Sequence, residues 1–229
     1  MDESLIPDGI DCPLCENRGY IATLDAEGMI HAVPCKCMAQ RRSLRLMKRS
    51  GLGDLFESCT LKNFKTPDDW TKRALKTAVD YCRNGRGKWF YIAGRPGTGK
   101  THLCSAICRY LLKKGAPVRY MLWREESPRL KALIGDAEEY AREMDALANV
   151  SVLYIDDFFK GSVTEADKNL AFSLLNARYN RKNKRTIFSS ERPLREIMQI
   201  DEATGSRIWQ RSQGYILLAP PEQPNWRVK

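Results

Sequence analysis

The run Gly94-Arg-Pro-Gly-Thr-Gly-Lys100-Thr101 has the spacing G-x-x-x-x-G-K-[ST]. Its glycines let the backbone turn tightly enough for successive N–H groups to face one anion. A helix opening at Lys100 would aim its positive end at the same point. The chemistry implied is the binding of nucleotide phosphates in a cradle of Gly94, Arg95, Pro96, Gly97, Thr98, Gly99, Lys100, Thr101 and His102. Lys100 would bridge the β- and γ-phosphates, and the Thr101 hydroxyl would ligate Mg²⁺. At ordinary glycine usage, roughly one chain of this length in a hundred matches by chance. The apolar run Trp89–Ala93 before it and the helical pattern after it make a chance glycine turn harder to sustain.

A second constellation is Val152-Leu-Tyr-Ile-Asp156-Asp157. A buried strand that ends in carboxylates delivers them to the ligand crevice of a parallel sheet. Asp156 would hold the Mg²⁺ water shell. Asp157, one residue on, would orient or deprotonate an attacking water. A solvated turn is the ordinary fate of a lone aspartate, but two acids downstream of a phosphate loop suit a hydrolase.

The third is Cys12-Pro-Leu-Cys15 with Cys35-Lys-Cys37. Four thiolates at C-x₂-C and C-x-C spacing can close a tetrahedral Zn²⁺ site. In so small a segment the metal would supply most of the folding free energy. His31 is an alternative ligand. Gly19 suits a tight turn after Cys15, and residues 20–34 could form a hairpin. Cys104 and Cys108 read as small core residues.

These groups need a scaffold, and 229 residues suffice for one medium domain with a small appendage. Strand patterns at Lys88–Ala93, Val118–Trp123, Val152–Ile155, Thr186–Ser189 and Tyr215–Leu218 alternate with helical ones. The helices are expected at Lys100–Lys114, Arg124–Ile134, Ala137–Ala148, Thr164–Asn180 and Glu202–Gln210. That alternation predicts a parallel sheet with helices on both faces. An amphipathic helix is expected at Asp68–Arg83 and a basic helix at residues 38–50, stopped by Gly51. Between them Gly51–Pro67 reads as a linker anchored by Leu52, Leu55, Phe56 and Phe64. The expected organisation is a zinc-binding, partner-docking module over 1–39, a basic helix and linker over 40–67, and an ATPase domain over 68–229.

Charge divides the chain unevenly. Its net charge is +10, yet through Pro34 seven acids (Asp2, Glu3, Asp8, Asp11, Glu16, Asp25, Glu27) face one base, Arg18. The segment carries −6 and the rest +16. Four thiolates around one Zn²⁺ would take the module to roughly −8, which repels phosphate. DNA contact is therefore expected from two basic clusters: Arg41, Arg42, Arg45, Lys48 and Arg49, and Arg178, Arg181, Lys182, Lys184 and Arg185. No apolar run reaches the ~20 residues of a membrane span. The acidic start lacks an apolar export region. A cytoplasmic protein with reduced thiols is expected, with no membrane partner.

From Leu52 onward the sequence resembles the AAA+ ATPases of the DnaC/DnaI helicase-loader and IstB transposition-helper group. The resemblance rests on Thr60-Leu-Lys-Asn-Phe64, the loop Gly94–Thr101, Tyr-Ile-Asp-Asp, Thr186-Ile-Phe-Ser-Ser-Glu191 and Ser206-Arg207-Ile-Trp-Gln-Arg211. It covers about three-quarters of the chain. It implies an AAA+ P-loop NTPase fold of α/β class. Little sequence follows the last strand, so neither a C-terminal helical lid nor a lid-borne sensor is expected. The resemblance places Ser190 or Glu191 where a polar group senses the γ-phosphate; relatives often carry Asn at the position of Glu191. It matches Arg207 to the arginine finger that reaches a neighbouring subunit's nucleotide, with Arg211 as second candidate. Phe158-Phe159-Lys160 lies near a family insertion that contacts single-stranded DNA, where the aromatics could stack on bases or pack in the core.

The resemblance implies an ATPase that loads a replicative, hexameric DNA helicase during DNA replication. It would bind ATP, Mg²⁺, Zn²⁺ and single-stranded DNA, and self-assemble on its partner or on DNA. The alternatives are an IstB-like helper of a transposase, an ATP-gated adaptor with little hydrolysis, and a nucleotide kinase. The acidic pair disfavours the kinase.

Overall fold

The structure, a computed structural model, describes residues 10–49 and 53–228. The expected stop at Gly51, the anchor Leu52 and the side chains of Lys48, Arg49 and Leu55 lie outside the described residues.

Near the start, β1 (Tyr20–Leu24) and β2 (Ile30–Pro34) pair antiparallel, with Leu24 opposite Ile30 and Tyr20 opposite Pro34. The basic helix is α1 (Cys37–Arg49). Its Leu44 and Met47 enter the main core. Gln40 donates to the Leu112 carbonyl at 2.7 Å, and Ser43 accepts from Val118 N–H at 3.0 Å. The stretch read as linker contains a short helix, α2 (Gly53–Ser58). Phe56 is buried in the core, and packing of that ring stabilises a helix too short to persist alone.

Helix α3 (Asp69–Asn84) starts on a capping box between Asp68 and Thr71. It buries Trp70, Ala74, Ala78 and Tyr81 at the expected helical spacing. Then come β3 (Phe90–Ala93), α4 (Lys100–Lys113), β4 (Val118–Leu122), α5 (Trp123–Ala132), α6 (Ala137–Asn149) and β5 (Val152–Asp156). The chain continues through α7 (Glu165–Tyr179), β6 (Arg185–Ser190), α8 (Leu194–Ile200), α9 (Glu202–Arg211) and β7 (Ile216–Leu218). The short α8 escapes a periodicity reading because only Leu194 and Ile197 are buried over seven residues. It approaches α9 so closely that a Cβ at Gly205 would meet the Met198 backbone within 2.8 Å.

Strands β3 to β7 form one fully parallel sheet in the order β4-β5-β6-β3-β7. Side chains alternate between two apolar layers. Phe90, Ile92, Tyr154 and Ile187 face α3 and α4, while Trp89, Tyr91, Ile155 and Phe188 face the layer of α5 to α9. The alternating strands and helices thus build the expected α/β, P-loop parallel sheet covered on both faces. One strand, β6, separates the strand feeding the glycine loop from the strand carrying the acids.

Candidate nucleotide site and cysteine cluster

A cavity of about 680 Å³ opens at the carboxyl ends of the strands, where parallel sheets hold ligands. The glycine loop between β3 and α4 forms its floor. Gly97 and Gly99 sit at φ +80° and +88°, backbone that side chains resist. At Gly97 a Cβ would also collide with the side chain of Asn225. Lys100 is buried and donates to the loop carbonyls of Gly94 and Arg95 at 2.7 and 2.9 Å. Burial pulls its ammonium below the ordinary lysine range, against the carboxylates of Glu191, Asp157 and Asp156. A cation so placed gains when a phosphate replaces neutral carbonyls.

Asp156 closes β5 and is buried. Its carboxylate accepts from Ser189 Oγ and, at 3.1 Å, from Tyr120 Oη. Asp157 follows at φ +52°. A left-handed non-glycine residue stores roughly 1–3 kcal/mol of strain and concentrates at functional sites. This turn carries the Asp157 carboxylate into the cavity, onto Lys160 Nζ at 3.1 Å. The same Lys160 ammonium is 2.7 Å from Glu191, so one cation joins two carboxylates.

Several expected side chains stand elsewhere. Ser190 is buried, donates to the Phe158 carbonyl at 2.8 Å and does not line the cavity. It is Ser189, the opposite face of the strand, that meets Asp156. Arg207 stacks over Phe172 and Tyr179 and donates to Asn176 Oδ1 and the Ala203 carbonyl. Arg211 donates to the Lys182 carbonyl. Neither arginine lines its own chain's cavity. His102 ties α4 to the segment before it, through Thr60 O and Asn63 Oδ1, both at 3.1 Å. Thr98 donates to Arg95 O, and Thr101 lines the cavity.

Two readings of the sequence are corrected, and one that it left open is decided. Phe158 and Phe159 are fully buried and stacked on each other at 4.1 Å, so they pack the core and present no face to a base. Arg178 is fully buried and spans the ends of α6 and β6. Arg41 is buried too, donating to Ile10 O at 2.8 Å and Asn17 Oδ1 at 2.9 Å, which braces the cysteine module. Neither is a surface cation for DNA. Sequence reading had no signal for Tyr120 or for the Lys160–Glu191 pair. Strand alternation alone could have offered Ser189 instead of Ser190.

The four N-terminal cysteines meet. The Sγ atoms of Cys12, Cys15, Cys35 and Cys37 all lie within 4.8 Å of one another and are buried. Cys12 to Cys35 is 3.7 Å and Cys15 to Cys37 is 3.6 Å. A tetrahedron with metal–sulfur bonds of ~2.3 Å has sulfur–sulfur edges of roughly 3.8 Å, so the donor set fits Zn²⁺. Gly19 N–H points at Cys15 Sγ at 3.4 Å, a contact that stabilises thiolate. His31 instead contacts Asp25 at 2.5 Å.

Residues 27–209 match the family model of IstB-like ATP binding proteins. YqaM of Bacillus subtilis (strain 168) is 36% identical over 198 residues, 80% of this chain and 62% of YqaM. The chain therefore spans under two-thirds of that relative. The phage-like element PBSX protein XkdC of the same organism is 30% identical over 225 residues, covering 91% of this chain and 82% of XkdC. The replicative helicase loader DnaC of Escherichia coli (strain K12) is 26% identical over 172 residues, covering 73% and 68%. Crystal structures of DnaI and of the DnaC helicase loader share the fold, each with a TM-score of 0.61 at 22% identity. They cover 81% and 72% of this chain, and 100% and 98% of their own.

Proposed function

Because the chain belongs to the family of IstB-like ATP-binding proteins, and so to the AAA+ P-loop ATPases, we propose that it loads a replicative DNA helicase in an ATP-dependent manner. In this reading Lys100 leaves the loop carbonyls for the β- and γ-phosphates. Thr101 and Asp156 hold Mg²⁺, which supplies charge neutralisation at the phosphates. Ser189 and Tyr120 keep the Asp156 carboxylate aimed. Asp157 orients and deprotonates the attacking water. Arg207, on α9 beside the exposed Trp209, would serve the nucleotide of an adjoining subunit, so hydrolysis requires assembly on the partner or on DNA.

The observation that carries the loader reading is the outward face of the cysteine module. Pairing of Leu24 with Ile30, Ala22 with Ala32 and Tyr20 with Pro34 puts six apolar side chains on one face, all exposed. An exposed apolar patch supports docking of a protein, and the acidity of the segment argues against docking of DNA. The same acidity weighs against a transposase helper whose first module would bind DNA.

The test is a pulldown from host lysate with ATP, using Asp157→Asn to hold the ATP state. Capture of a hexameric helicase, lost when residues 1–39 are deleted, is the expected result. Capture of a transposase would replace this reading with the IstB-like one.

A further inference from the structure

At the opposite end of the sheet, the amino ends of β5 and β6 and the carboxyl ends of α3 and α4 enclose a second cleft of about 640 Å³. Four separate stretches of sequence meet there. Three of them contribute Arg83, Arg86, Lys114, Lys184 and Arg185, and no Asp or Glu lines the cleft. Among the described residues none of these five is ion-paired to a carboxylate. Arg181, next along, is within 3.9 Å of Asp145 and is not part of the lining.

Some of this charge has a local use. Arg83 lies in the last turn of α3, where a cation complements the helix dipole. Arg185 donates to the Gly85 carbonyl at 3.0 Å and lies over the Tyr81 ring. Lys184 donates to the Asn149 carbonyl and Lys114 lies over the Tyr110 ring, while Arg86 stands in the loop after α3. Burial, and then the charges of Arg178 and Arg181, push the Lys184 ammonium below its ordinary range. Like charges gathered around a concavity repel one another, and an anion that enters relieves the repulsion.

We infer that this cleft binds the phosphodiester backbone of single-stranded nucleic acid. The inference draws on the proposed loader function only for the source of the phosphate. The cleft lies about one strand length from the nucleotide cavity, roughly 16 Å at ~3.3 Å per residue. Its cations can therefore be changed without touching the ATP site.

The experiment uses the full chain and a fluorescein-labelled dT20 oligonucleotide, read by anisotropy between 50 and 200 mM salt. The variant is Arg83→Gln/Arg86→Gln/Lys114→Gln/Lys184→Gln. The smaller Arg86→Gln/Lys184→Gln pair guards against misfolding, and an unchanged thermal unfolding curve with unchanged fluorescent-ATP affinity reports an intact fold. Each phosphate contact contributes ~0.7 to the salt slope on single strands, so four contacts account for a slope of about 2.8 and a roughly fifty-fold affinity loss over that salt range. The expected result is that the fourfold variant loses most of that slope and the pair about half. An Arg42→Gln/Arg45→Gln variant on α1 should keep it. Wild-type slope and affinity in the fourfold variant would overturn the cleft as the site while leaving DNA binding intact. No oligonucleotide binding by the wild-type chain at any salt would overturn the DNA reading itself. Binding of inorganic tripolyphosphate at the cleft with no oligonucleotide binding would overturn the assignment to nucleic acid.

Discussion

Replacing Arg178 tests the main correction that the structure makes to the charge pattern. Its guanidinium donates from Nε to Thr186 Oγ1 at 2.9 Å. Nη1 donates to the carbonyls of Leu147, Ala148 and Val150 at 2.7, 3.2 and 3.0 Å. Nη2 reaches the Arg185 carbonyl at 2.5 Å. Leu147 and Ala148 lie in the last turn of α6, whose carbonyls lack partners within the helix. The one side chain therefore caps α6 and ties its end to β6. Burial lowers its pKa to about 9, which leaves it protonated at neutral pH. Arg178→Met keeps the bulk of the stem and removes every donor. Four carbonyls, two of them buried and two partly buried, then lose their bonds, each worth up to ~1–3 kcal/mol when left unmade. Relief from burying the charge offsets part of the sum. The expected net loss is about 3–5 kcal/mol. For a chain of this size that lowers Tm by roughly 6–20 °C, at 2–4 °C per kcal/mol. The assay is thermal unfolding followed by circular dichroism, run beside the oligonucleotide titration. A variant that melts within 2 °C of wild type, by the same scale, and binds the oligonucleotide more weakly would show that Arg178 is a surface cation and would refute the reasoning.

Further outcomes follow from other contacts. Lys160→Met removes the cation shared by Asp157 and Glu191. A unit charge at ~10 Å and effective dielectric near 20 is worth about 1.7 kcal/mol, so ATP should bind more than tenfold more weakly in a fluorescent-nucleotide titration; equal affinity would remove Lys160 from the site's electrostatics. Zinc measured by mass spectrometry should be one per chain, and Cys35→Ser should abolish it and unfold the hairpin around Tyr20–Pro34 while the ATPase domain keeps its helicity. Asp167 accepts from Lys131, Ser127 and Thr164. Burial alone would raise its pKa, but these partners hold the carboxyl well below the usual range. A depressed carboxylate stabilises fully above its unfolded value near 3.9 and loses that contribution as pH falls towards the folded value. Asp167→Asn should thus melt lower at pH 7 and show a shallower Tm decline between pH 5 and pH 3.

The glycine loop and the cysteine cluster were legible in the sequence because their requirements are local. A left-handed backbone at Gly97 and Gly99 is a demand on single residues. Two cysteine pairs at short spacing can hardly avoid converging once a hairpin folds the chain between them back on itself. The alternation of apolar runs and helical patterns likewise announced a parallel sheet, since each element must bury its own face. The acids at the end of β5 came with it, because a strand's carboxyl end is where such a sheet opens.

Direction and company were a different matter. Ser189 and Ser190 are neighbours of one type, and only the packing of β6 between β3 and β5 turned the first to Asp156 and the second to Phe158. Phe158 and Phe159 could stack on bases or pack in the core as far as the sequence shows, and the Trp123 ring against both decides for the core. Arg41 and Arg178 belong to basic runs, and burial took each out of its run to bond carbonyls that nothing nearby in sequence identifies. The cleft of Arg83, Arg86, Lys114 and Lys184 exists only where four distant segments end together. Backbone geometry and ligand spacing are set over a few residues and can be read along the chain. Which side chain meets which depends on contacts between elements far apart in it, and those the tertiary structure alone decided.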